Sequence, residues 1–133
     1  MTVSLITQQI QKHQNSVKTH IESGICITVQ DKFFFIDYQE ILYLRASGNY
    51  TRIFLRNEDK ILVSKTLRVF EKKLNPSTFF RTHKNSMVNI NYVLKYLKNG
   101  QELIVMKNGE KLLVSRRRKQ ALLEALYLYF KRI

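Results

Sequence analysis

Leu94-Lys95-Tyr96-Leu97-Lys98-Asn99-Gly100-Gln101-Glu102-Leu103-Ile104-Val105-Met106-Lys107-Asn108-Gly109-Glu110-Lys111-Leu112-Leu113-Val114 reads as three short strands and two turns. Leu94 to Leu97 meets Glu102 to Lys107 across Lys98-Asn99-Gly100-Gln101. Glu102 to Lys107 then meets Glu110 to Val114 across Asn108-Gly109. Asn-Gly is the favoured two-residue hairpin turn because both central positions of that turn need positive φ. Two such signals in one short stretch predict an antiparallel meander.

Downstream of the meander the apolar period changes to that of a helix. From Arg116 to Tyr129, Leu122, Leu126 and Tyr129 line one side, with Leu123, Ala125 and Phe130 widening it. Upstream, Phe79-Phe80-Arg81-Thr82 is a short buried run that leads to a polar loop, His83-Lys84-Asn85-Ser86; Met87 to Tyr92 suggests one helical turn. Leu67, Phe70 and Leu74 mark a short helix, closed by Asn75-Pro76. Before it, β-branched and aromatic runs predict strands at Ile25 to Gln30, Lys32 to Asp37, Ile41 to Leu44, Tyr50 to Leu55 and Lys60 to Val63. Asn57-Glu58-Asp59 turns the last pair. At the start of the chain, Val3, Ile6, Ile10, His13, Val17 and His20 recur at helical spacing, and Gly24 is a plausible stop. The organisation expected is a helix or linker over 1–23 and a mainly β domain with short helices over 24–133. The first helix would link, form a dimer seam, or pack on the domain.

The bulk numbers suit one ordered domain. The chain has 133 residues, 44% of them hydrophobic, with four glycines and a single proline, Pro76. Cys26 is the only cysteine, which excludes an intrachain disulfide and any cysteine-rich metal cluster. Its setting in Ile25-Cys26-Ile27-Thr28-Val29 predicts a small buried hydrophobe. No apolar run is long enough to span a membrane, and the first residues lack the pattern of a signal peptide. A cytoplasmic protein is the expectation.

Charge is the strongest global signal. Lys and Arg total 23 against 10 acids, a net charge of +13. It is unevenly placed: residues 1–44 hold three basic and four acidic groups, residues 81–133 hold twelve and three. Such a bias concentrates polyanions and favours counterion release from a phosphate backbone. Composition alone does not separate DNA from RNA or an anionic membrane.

The last helix carries this charge in an unfavourable place. Ser115 is positioned as its N-cap. Its first turn is Arg116-Arg117-Arg118-Lys119, where the helix dipole favours acids, and Arg118 stands where a capping box would place Glu or Gln. A bound anion would turn each of these terms favourable. A DNA phosphate fits, and Arg also forks onto guanine. Arg45-Ala46-Ser47-Gly48-Asn49-Tyr50-Thr51-Arg52 is a second mixed basic, small and aromatic stretch, suited to phosphate and base-edge contacts but equally ordinary turn chemistry. In the third, around His83, no carboxylate is near in sequence. That favours a loop-structuring histidine over a catalyst or ligand. Lys84 beside it is the more plausible phosphate or base contact.

Five segments in order resemble the LytTR family of bacterial DNA-binding domains. They are Asp37-Tyr38-Gln39-Glu40-Ile41-Leu42-Tyr43-Leu44, Ala46-Ser47-Gly48-Asn49-Tyr50-Thr51, Phe79-Phe80-Arg81-Thr82-His83-Lys84-Asn85-Ser86-Met87-Val88-Asn89, Lys107-Asn108-Gly109 and Val114-Ser115-Arg116-Arg117. The likeness covers about residues 25–130. It departs after His83, where Lys-Asn-Ser replaces the family's usual Arg-Ser, and at Arg45, where the family commonly has Glu. The resemblance implies elongated antiparallel sheets with few short helices and loops entering successive major grooves. It also implies paired direct repeats as targets, with room for a homodimer on the DNA. By motif, it maps contacts onto Asn49, Thr51 and Arg52, onto Lys84 or Asn85, and onto Arg117. Arg116 and Arg118 join them on the charge argument. His83 and Asn89 look structural. Many relatives carry a phospho-receiver domain; here the only aspartates are Asp31, Asp37 and Asp59, so the module either stands alone or is a fragment.

The expected function is sequence-specific duplex DNA binding in bacterial transcription control, with no cofactor, no metal and no catalysis. The alternative is an RNA or single-strand binder that stacks bases on Tyr50, Phe54 or Tyr92. A nuclease needs paired acids for a metal, and the basic part offers only Glu102, Glu110 and Glu124, scattered. A membrane-surface role would rest on charge alone.

Overall fold

The computed structural model describes residues 23–133. The expected helix over 3–22, and with it the 1–23 segment, lies outside the described residues. In chain order the elements are β1 Gly24–Val29, β2 Lys32–Asp37, β3 Ile41–Ser47, β4 Tyr50–Leu55, β5 Lys60–Val63, α1 Leu67–Lys73, β6 Phe79–His83, β7 Ser86–Asn89, β8 Val93–Leu97, β9 Leu103–Met106, β10 Lys111–Leu113 and α2 Arg116–Tyr129. The described residues are thus mainly β with two α-helices, and every strand pairing is antiparallel.

A five-stranded sheet, ordered β5-β4-β3-β7-β6, is the centre of the molecule. Successive residues of a strand face opposite sides, and here both sides are apolar. Leu44, Ile53 and Val63 cluster with Ile27 and Ile36 of the β1–β2 hairpin and with Leu67, Phe70 and Leu74 of α1. Tyr43 and Val88 cluster with Ile104, Met106 and Leu112 of a three-stranded sheet, ordered β10-β9-β8, and with Leu122 and Leu126 of α2. The adjacent Phe79 and Phe80 show the division: the first belongs to one core and the second packs against the other. Each such aliphatic or aromatic side chain contributes about 1.5–3 kcal/mol when fully buried.

A single polar side chain ties the sheet to the turn beside it. Asn89 is fully buried; its Nδ2 donates to the Tyr38 carbonyl at 3.0 Å and to the Ile41 carbonyl at 2.9 Å. Its Oδ1 accepts the Asn91 N–H at 2.9 Å, capping the 3₁₀ turn Ile90–Tyr92.

The structure corrects several local expectations. Residues 87–89 are not helical: Ser86–Asn89 is a strand between β3 and β6, all four residues buried, and only Ile90–Tyr92 turns. The meander forms, but the β9–β10 turn is not the two-residue kind. Met106 N–H donates to the Glu110 carbonyl and Gly109 N–H to the Met106 carbonyl, with positive φ at Gly109 (92°) and not at Asn108. This three-residue loop with a bulge glycine needs one left-handed residue rather than two. Cys26 is exposed, not buried, because it shares the outer hairpin face with its partner Phe35. Tyr129 does not extend the buried line of α2, nor does Phe130 widen it; both are exposed.

Candidate nucleic-acid interface

One end of the central sheet gathers the polar and basic segments. The turn between β3 and β4, the turn between β6 and β7, and the start of α2 all lie there. Three backbone hydrogen bonds and one ion pair hold them. Ala46 N–H donates to the Asn85 carbonyl at 2.9 Å, which joins the first two turns. Ser115 N–H donates to the Thr82 carbonyl at 2.9 Å, which pins the start of α2 to β6. Lys119 N–H donates to the Ser115 carbonyl at 3.0 Å and opens the helix. Arg45 pairs with Glu110 at 2.7 Å, which draws in the β9–β10 turn.

The β3–β4 turn is tight because Ser47 pairs with Tyr50, leaving only Gly48 and Asn49 between. Gly48 has a φ of 61°, which a side chain would disfavour. Asn49 and Arg52 are exposed at this tip. Thr51 is a correction: it is fully buried, and its Oγ1 donates to the Lys65 carbonyl at 2.7 Å. Its hydroxyl holds the end of β5 and does not reach solvent.

The β6–β7 turn is organised by Arg81. Its Nε donates to the His83 carbonyl at 3.0 Å and its Nη2 to the Lys84 carbonyl at 2.6 Å. His83 Nδ1 accepts the Asn85 N–H at 3.2 Å, a loop-shaping bond. Lys84 and Asn85 are left exposed at the tip.

The third Arg81 bond reaches another element. Its Nη1 meets Glu71 of α1 at 2.6 Å, and the other Glu71 oxygen takes Arg118 of α2 at 2.9 Å. One carboxylate therefore fastens both the turn and the helix. Burial pushes the Glu71 carboxyl up, but the hydrogen bond and charge of Arg118, joined by those of Arg81, outweigh it and hold it below its ordinary value. Lys119 pairs with Glu102 at 2.6 Å, and its hydrogen bond, with that of Tyr96, lowers the Glu102 carboxyl.

The four cations of the first turn thus divide. Arg118 and Lys119 face carboxylates supplied by other elements, whereas Arg116 and Arg117 are exposed. Ser115 occupies the N-cap position, but its hydroxyl makes no capping bond, so the dipole end of α2 keeps its open donors. The arrangement offers anions a set of outward guanidinium, ammonium and amide groups on rigid supports. Of the expected contacts, Asn49, Arg52, Lys84, Asn85, Arg116 and Arg117 reach the surface at one end, while Thr51 and Arg118 are engaged internally.

Arg81 and Glu71 escaped the sequence reading as organisers of the site. Arg81 was visible only as a motif residue, and nothing near Glu71 in sequence signals its two partners. Among the described residues, no group of His, Cys, Asp and Glu could hold a metal. No described helix is long and apolar enough to cross a membrane.

The model of the LytTr DNA-binding domain family matches residues 31–127. The transcriptional regulatory protein LytR of Staphylococcus aureus strains N315 and NCTC 8325 is 24% identical over 79 residues, 59% of this chain and 32% of that protein. The chain therefore matches about a third of the length of these curated relatives. Among solved structures, it is similar to the LytTr DNA-binding domain of a methyl-accepting/DNA response regulator from Bacillus cereus. That match has a TM-score of 0.68 at 23% identity, covering 80% of this chain and 98% of that one.

Proposed function

Because this chain belongs to the LytTr DNA-binding domain family, we propose that it binds duplex DNA sequence-specifically to regulate bacterial transcription, in the cytoplasm. The β3–β4 turn, the β6–β7 turn and the start of α2 enter major grooves, and the targets are paired direct repeats that bring two copies together on DNA. Asn49, Arg52, Lys84, Asn85, Arg116 and Arg117 make the contacts. The observation that carries this reading is the convergence of those exposed groups at one end of a rigid sheet, with Arg116 and Arg117 unpaired among the described residues. Phosphate contacts set register, and Arg or Asn forks read base edges.

The single-strand alternative needs an open aromatic face. Phe54 instead stacks on Tyr43 at 4.4 Å, and the Tyr92 hydroxyl donates to the Gln39 carbonyl. Of the three rings that reading invoked, only Tyr50 is exposed.

The test is selection from a random duplex library at fixed, near-physiological salt, with wild type and Arg117→Ala. The expected result is a defined motif, with the variant weaker by about 1–3 kcal/mol and relaxed at one position. Absence of any motif, with single strands competing equally, would overturn the reading.

A further inference from the structure

A cleft of about 740 Å³ lies between α1, the β6–β7 turn and the start of α2. Its walls carry Arg68 and Lys72 of α1, Lys84 of the turn, and Arg117 of α2, besides the Arg81–Glu71–Arg118 fork. Among the described residues, Glu71 is the only carboxylate on these walls, and both its oxygens are already engaged by Arg81 and Arg118. Arg68, Lys72, Lys84 and Arg117 thus share one concave surface with no ion-pair partner among the described residues. Like charges so gathered repel one another, and a cleft lined by one sign focuses its field on the space inside.

We propose that this cleft clamps a backbone phosphate of the bound duplex, with Arg68 and Lys72 of α1 as contacts outside the base-reading set. The inference rests on the duplex-binding reading above. Arg68 and Lys72 lie four residues apart and so share one helical face. The opposite face is fixed in the core by Leu67, Phe70 and Leu74, so the two cations are presented on a rigid support. The cleft wall they form is continuous with Lys84 and Arg117. A backbone passing from the turn to α2 runs over it. These contacts add affinity and orientation without sequence information.

The experiment measures affinity for a selected duplex and for a random duplex between 50 and 200 mM salt. It compares wild type with Arg68→Ala, Lys72→Ala and the double variant. Alanine is the better helix former, and both side chains are exposed, so circular dichroism should show an unchanged fold. Each lost contact lowers the slope of log affinity against log salt by about 0.9, so the double variant loses close to 2. Affinity falls by roughly fivefold per side chain near 0.15 M salt, equally on both duplexes. An unchanged slope in the double variant overturns the clamp, even where Arg117→Ala still relaxes the sequence preference at one position. If wild type binds no duplex at all, clamp and function fall together. If free phosphate at millimolar concentration competes in the wild type and not in the double variant, while the duplex slope is the same in both, the cleft holds a small anion and the clamp is overturned.

Discussion

Asn89 shows how much one buried amide carries. Replaced by Ala, it takes a donor from two buried carbonyls and the acceptor from one N–H of the adjoining turn, although the Tyr38 carbonyl keeps the Ile41 N–H. Unsatisfied groups of this kind cost about 1–3 kcal/mol each, partly relieved by relaxation. Asn89→Ala should therefore lose about 2–4 kcal/mol in denaturant unfolding; a loss below about 1 kcal/mol would mean that the three bonds are easily replaced. The sequence named Asn89 as structural only through its family motif. Two other residues were legible and misread. Thr51 has the strand parity of Ile53, which is buried, so alternation alone assigned it to the core. Cys26 lies between Ile25 and Ile27, and the same alternation puts it on the outer face with Thr28. In both cases residue type was weighed above period.

Among the elements, the turns and helix ends were read well in position and less well in detail. The β9–β10 turn was placed correctly from Asn108-Gly109. Its extra residue depends on register, which the tripeptide does not encode. The charge clash at the start of α2 was also legible, but its partial relief was not, because Glu71 and Glu102 come from distant elements. Glu71 allows a test with a definite sign. Its folded carboxyl titrates below the ordinary value of 4.5, so its contribution is complete above that range and disappears as pH falls through the folded value. Glu71→Gln should be less stable than wild type near neutral pH by up to about 1 kcal/mol, the range of solvent-screened pairs. The gap should close in acid. A gap that persists well below pH 4 would show that shape, not charge, holds the fork; pH-dependent thermal melts decide between them.

The whole molecule depends on a sheet with apolar clusters on both faces. Neither cluster is complete without the sheet, so the two should not unfold separately. Leu122→Ala, in the α2 cluster, should cost about 2–5 kcal/mol. It should speed hydrogen exchange of core amides on the β1–β2 and α1 side as well as its own. Acceleration confined to the α2 side would show two independent units. From the sequence, most of the strands and their order could be read, β7 excepted, and so could the stretches that carry the exposed basic groups. The pairing of β3 with β7 could not, because it joins segments some forty residues apart and leaves no local pattern.

The double cover of the central sheet also bears on how such a protein changes over generations. The six surface groups of the proposed interface occupy turns, the first half of β4 and a helix end, and none belongs to either core. If these groups read bases as proposed, substitutions there would exchange one operator preference for another with little penalty in folding, since surface changes away from the core usually cost under about 0.5 kcal/mol. On that proposal, heritable drift in target choice would be decoupled from survival of the fold, and a duplicated copy could acquire a new regulon while its interior stays under the old constraint.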